Sequence, residues 1–169
     1  MKKYFRIVVF IAIISCLSGA ILGFVNSITE PIIIDNAIAL EKKNLVLLFP
    51  DGEFKPIDYK DDEGIVLEVY KVNKKGYVFK TTCKGYNSST PIVILIGMDT
   101  EGTIINVIPL EQQETNNIGS KCFEEENIKK LYVGKTIDQN ADAISGATFT
   151  SNAMKTMISK AQEAFRKVK

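Results

Sequence analysis

The residues best equipped for chemistry lie together in Asp142–Ser151, DAISGATFTS. Hydroxyls on Ser145, Thr148, Thr150 and Ser151 flank Gly146 and Ala147. A helical pattern begins just after this run, so the hydroxyls sit at a helix start. Side-chain oxygens there accept the free N–H groups of the first turn, and Thr150 or Ser151 is the expected cap. Gly146 permits a tight or left-handed backbone. The same helix start carries partial positive charge and unpaired donors, which suits an anion and phosphate above all. No Lys follows the glycine as a Walker loop requires. On chemistry alone, two readings stand open: a capped turn and a phosphate site. Missing residue types narrow the rest. The chain has no His, which removes His-activated nucleophiles and the usual zinc sites. A formal net charge of +1 gives no bulk basic field, so no nucleic-acid partner is expected.

The elements that must hold this loop are legible around it. After it, Met154, Met157, Ile158, Ala161 and Phe165 recur at steps of three and four, an amphipathic helix with a basic C-terminal end. Before it, GIVLEVYKV and YVFKTTC flank the turn NKKG as a hairpin. PIVILIGMD and TIINVIPL flank a second turn. IVILIG reads as a strand buried on both faces. These runs predict an antiparallel sheet of about four strands over Ile65 to Leu110, with Ile92 to Ile96 central and helices as cover. DGEFKPIDYKDDEG reads as surface loop with room for one short strand, and a short helix is expected near Lys121 to Lys129.

The N-terminus is of another kind. Lys2, Lys3 and Arg6 precede an uncharged run, densest from Ile7 to Val25 and close to the ~20 residues that cross a bilayer as a helix. The basic residues favour an inside N-terminus and an outside remainder. A retained anchor is expected; a signal cleaved near SGA is the alternative, and lipidation of Cys16 fits its flanking IIS poorly. Pro31 is placed to open a further helical piece that ends before Pro50. Of the three cysteines, Cys83 and Cys122 fall outside, where a disulfide would persist, yet their separation in sequence gives no sign that they meet.

DAISGAT, Asp142 to Thr148, resembles the flavinylation motif of FMN-binding domains, which occur in the G subunit of the Rnf electron-transport complex and the C subunit of the sodium-pumping NADH:quinone reductase. The family pattern is Asp, two variable residues, a small or hydroxyl residue, Gly or Ser, Ala, then Thr or Ser; Asp142, Ser145, Gly146, Ala147 and Thr148 meet it. The resemblance extends to the N-terminal helix with its NSITEP exit, and to GYNSSTPIVILIGMDTEGTIINVIPLEQQET. Glu114 and Thr115 match the Glu-Thr pair that lies beside the flavin in the family, and Gly119 and Lys121 match later positions of that element. The chain departs at Asn116, Asn117 and Ile118, where Pro-Gly-Leu is usual, and at Asn87 and Ser88, where Gly-Gly is common.

The resemblance implies FMN joined by a phosphoester to Thr148, with a separate flavin transferase as maturation partner. Glu114, Thr115, Gly119 and Lys121 are then expected around the cofactor, and no metal is expected. It further implies an electron-carrier subunit of a membrane ion-translocating oxidoreductase, on a ferredoxin-to-NAD pathway, partnered by other membrane subunits and not catalytic alone. A stand-alone extracytoplasmic flavoprotein and a non-redox membrane-anchored interaction module are the alternatives. The expected architecture is α+β: an antiparallel-rich sheet covered by helices, after one transmembrane helix. Residues 1–29 form the tail and membrane helix, 30–50 a juxtamembrane helix, and 51–169 the FMN-binding domain outside the cell membrane.

Overall fold

A computed structural model describes residues 2–136 and 142–169. The side chains of Lys2 and Lys3, on which the inside N-terminus partly rests, lie outside the described residues. Helix α1 spans Lys2–Leu48, and the chain forms two units, Met1–Glu41 and Lys42–Lys169. In the first unit the helix is apolar on all sides. It is long and apolar enough to cross a membrane, and none of its most apolar stretch is buried. A helix that belonged to a soluble core would bury such a stretch. Pro31, expected to open a helix of its own, lies inside α1. Proline cannot donate to the carbonyl one turn back; the Ser27 and Thr29 hydroxyls donate to the Phe24 and Val25 carbonyls just before it, each at 2.8 Å.

The second unit is built on a five-stranded antiparallel meander in the order β1-β2-β3-β4-β5. Its strands are Phe54–Ile57, Val66–Val72, Gly76–Cys83, Ile92–Met98 and Ile104–Glu111. The two hairpins fall where the runs flanking the two turns place them. The short strand in the polar loop becomes edge strand β1, so the centre of the sheet is β3, and β4 lies between it and β5. Strand β4 is still covered on both faces, since its side chains alternate between two cores. Ile92, Ile94, Ile96 and Met98 join Tyr77 and Phe79 on one face. Leu95 joins Val78 and Val72 on the other, under Leu45 and Leu48 at the end of α1 and Phe49 just after it.

The first face is covered by a second long helix, preceded in the chain by a 3-10 turn at Gly119–Phe123 and by α2, Glu125–Leu131. This helix, α3, spans Thr148–Val168. All five residues of its apolar stripe, Met154, Met157, Ile158, Ala161 and Phe165, are buried. Each large side chain among them stabilises the fold by about 1.5–3 kcal/mol. Phe165 meets the Tyr77 ring edge-on, centroids 5.4 Å apart, at the start of β3. Helix α3 therefore runs along β3, and its N-terminus arrives where β3 and β5 end and β4 begins. The functional loop is held at that end of the sheet.

Candidate functional site

Three segments converge there. The first is Gly85–Asn87, between β3 and β4. The second is Glu114–Gly119, after β5. The third is Gly146–Ser151, at the start of α3. Between them lies a cavity of about 520 Å³, lined by Tyr86, Thr115, Ile118 and the run Gly146 to Thr150. That volume is in the range of small-molecule sites, roughly 300–1,000 Å³.

Gly146 has φ +81°, the left-handed turn its lack of a side chain allows. The turn closes with the Ala147 N–H on the Ile144 carbonyl at 3.0 Å. Helix α3 then starts at Thr148, with Ala147 in the cap position and, among the described residues, no side-chain cap on its free N–H groups. This corrects the expected cap. Thr150 and Ser151 lie inside the helix, 1% exposed each, and their hydroxyls point to other segments. Thr150 donates to Glu114 Oε2 at 2.5 Å. Ser151 Oγ accepts the Ile144 N–H at 3.1 Å and lies 3.5 Å from Cys122 Sγ. A buried hydroxyl must find a partner, and here the partners lie off the helix. Thr148, by contrast, is exposed on the cavity wall. Thr148 is also the first residue of α3, so it stands at the helix start.

The remaining expected residues separate into groups. Thr115 lines the cavity, whereas Glu114 lies behind it and is buried. Gly119 is buried against Glu114 and Thr150. Lys121 is exposed on the 3-10 turn and does not line the cavity. Asp142 and Ser145 are exposed in the approach to the helix, Ser145 in the turn with Gly146. Cys83 and Cys122 are both free, and burial raises the pKa of each thiol. Among the described residues no cluster of His, Cys, Asp and Glu could hold a metal.

Sequence reasoning did not single out the apolar rim. Tyr86, Ile118 and Phe149 are 67%, 50% and 71% exposed. The Tyr86 and Phe149 rings face each other obliquely, centroids 6.0 Å apart. Large apolar side chains held in water around one cavity mark a ligand or partner site. Phe149 did carry a signal, since it falls off the buried stripe of α3. Tyr86 is an aromatic in a polar loop, and only the fold brings it to Phe149.

Residues 85–163 match the model of the FMN-binding domain family. The FMN-binding match covers β4, β5, α2 and most of α3, and takes in every residue that lines the cavity. A relative in Clostridium ljungdahlii is the G subunit of the proton-translocating ferredoxin:NAD(+) oxidoreductase complex, to which the chain is 26% identical over 163 aligned residues. The alignment spans 89% of this chain and 85% of that relative.

Proposed function

We propose that the protein is a membrane-anchored electron carrier. FMN would be joined covalently through its phosphate to Thr148, and the protein would act as one subunit of an Rnf-like ion-translocating oxidoreductase complex. The observation that carries the reading is the placement of Thr148: an exposed hydroxyl on the cavity wall, at an uncapped helix start. The FMN-binding match and the relative's place in a ferredoxin:NAD(+) oxidoreductase complex support it.

The residues present fit the group. The first turn of α3 offers backbone N–H groups and partial positive charge to a phosphate. Gly146 and Ala147 keep that approach free of bulk. Thr115 supplies a polar side chain in the wall, while Tyr86, Ile118 and Phe149 offer apolar faces to a planar ring. Bound FMN would supply one- and two-electron redox chemistry, with its potential tuned by the surrounding protein. A phosphoester holds the cofactor by its tail, so it is not lost to dilution outside the cytoplasm. Lys2, Lys3 and Arg6 keep the N-terminus inside, and the second unit lies outside. Helix α1 has no acidic residue before Glu30, so this subunit offers no ion path through the bilayer. Ion transport and ferredoxin contact then fall to the other subunits.

Co-expression with a flavin transferase tests the reading. The full chain should gain the mass of one FMN less one water, the adduct should survive denaturation, and it should map to the peptide containing Thr148. A folded wild-type chain that stays unmodified beside an active transferase removes the covalent reading. For topology, a cysteine placed at the exposed Lys74, with Cys83 and Cys122 replaced, should react with an impermeant thiol reagent in intact cells. Labelling only after lysis reverses the orientation.

A further inference from the structure

Glu114 is 6% exposed, and a buried carboxylate is unfavourable unless its oxygens are bonded. Both are. Oε2 accepts the Thr150 hydroxyl at 2.5 Å and the Tyr86 N–H at 3.3 Å. Oε1 accepts the Asn87 N–H at 3.1 Å. All three donors are neutral, and they come from two segments distant in sequence. Glu114 is itself oriented by its own N–H, which donates to Gln112 Oε1 at 2.9 Å.

Two glycines make room for this bonding. A Cβ on Gly85 would stand 2.5 Å from Oε1, and one on Gly119 would stand 2.6 Å from Oε2 and 2.8 Å from Thr150 Oγ1. The carboxylate thus has backbone packed on two sides and hydrogen bonds to two segments. The cavity uses the neighbours of these atoms: Tyr86 from one segment, Thr115 and Ile118 from the second, Thr148 to Thr150 from the third. Glu114 does not line the cavity. Tyr86 and Thr150 in its walls are instead bonded to Glu114 directly, and Thr148 lies two residues from Thr150.

We propose that Glu114 is a positioning residue. Through Thr150 and the 85–87 turn it fixes the cavity walls, so that Thr148 presents its hydroxyl in the orientation flavinylation needs. The proposal rests on the covalent reading above and sharpens it. Glu114 acts through Thr150 and backbone N–H groups, with no contact to the flavin. Thr150 is the other half of the device. Its hydroxyl is its link to Glu114, two residues from the acceptor on the same helical turn.

The test uses the full chain in detergent, a purified flavin transferase with its flavin donor, and three variants. Thr150→Val keeps the shape and removes the donor; Thr150→Ser restores it; Glu114→Gln keeps the size and removes an acceptor. Attachment is followed by mass, and amide hydrogen exchange is read on the unloaded protein. Thr150→Val and Glu114→Gln should each slow attachment by roughly ten- to hundredfold, the range of one hydrogen bond to a charged group. Thr150→Ser should recover most of the rate. In Glu114→Gln the Tyr86 and Asn87 amides should exchange faster while the centre of β3 stays protected. In the loaded protein, Thr150→Val should leave the flavin midpoint potential at the wild-type value.

Several results overturn the proposal. Attachment within about twofold of wild type in both variants does so, as does slowing in Glu114→Gln alone together with a shifted potential, which would put the carboxylate on the ring itself. If Glu114→Gln fails to fold, the Thr150 pair decides. If the wild-type chain is never modified, the covalent reading fails. Hydrogen exchange then decides for Glu114: unchanged Tyr86 and Asn87 amides overturn its positioning role, and faster ones uphold it.

Discussion

The two ends of helix α3 are built for different work. Its C-terminal half is packed for stability. Met157, Ala161, Ala164 and Phe165 are buried against the sheet, and the exposed side carries ion pairs from Lys160 to Glu63 and Glu163 and from Lys167 to Glu163. Its first turn buries two hydroxyls instead of large apolar groups, and it leaves Thr148 and Phe149 exposed beside a cavity. A first turn whose buried hydroxyls bond to other segments has been arranged for geometry.

The largest expected effect separates the two ends outright. Thr148→Ala should abolish covalent FMN, because alanine offers no oxygen for the phosphoester, while Thr148→Ser should keep it. As an exposed residue, its replacement should change stability by no more than about 0.5 kcal/mol. Mass and a denaturant titration of one sample check both halves. An adduct on Thr148→Ala that maps to Thr150 or Ser151 would make the wrong residue the acceptor.

Phe165→Ala tests the other end. It should destabilise the second unit by about 3–5 kcal/mol through the cavity left beside Tyr77. Modification measured where that variant is still folded should match wild type. A specific loss of attachment without loss of stability would erase the distinction between the ends.

Ser151→Ala is intermediate. It removes the acceptor of the Ile144 N–H, at an expected cost of about 1–3 kcal/mol by denaturant unfolding. It also takes away the hydroxyl beside Cys122. Burial raises the Cys122 pKa and the Ser151 hydroxyl opposes that rise, so native alkylation of the thiol should slow further in the variant. Equal stability and equal alkylation would show that the buried hydroxyl orders nothing.

The smallest effect concerns the 61–66 segment, near which Lys160 of α3 pairs with Glu63. Burial raises the Asp61 pKa, but hydrogen bonds from the Val66 and Ile65 N–H groups outweigh it and leave the carboxyl below its usual value. A lowered folded-state value stabilises the protein above the unfolded carboxylate range, and that contribution fades as pH falls through the folded value. Asp61→Asn should therefore narrow the gap between urea midpoints at neutral pH and about pH 3, with little change in attachment. Parallel pH profiles for the two proteins would remove Asp61 from the acid response.

Local pattern reached far in this chain. Apolar, β-branched runs flanking turn residues predict the two hairpins, and steps of three and four predict the buried face of α3 from Met154 to Phe165. An uncharged run predicts the span-length helix, because solvent preference along one segment needs no other segment to declare itself. Gly146 is legible for the same reason, since its left-handed turn is a property of one residue. The polar partners of Thr150 and Ser151 were not legible. Sequence offered them as caps for their own helix, whereas the fold turns them toward Glu114 and Ile144 across gaps in sequence. Only tertiary structure could decide this. A buried hydroxyl takes whichever donor or acceptor the packing brings within about 3 Å, and that partner lies off the helix. The rim follows the same logic: Tyr86, Ile118 and Phe149 come from three segments, and the meander with α3 laid along β3 is what gathers them at one end of the sheet.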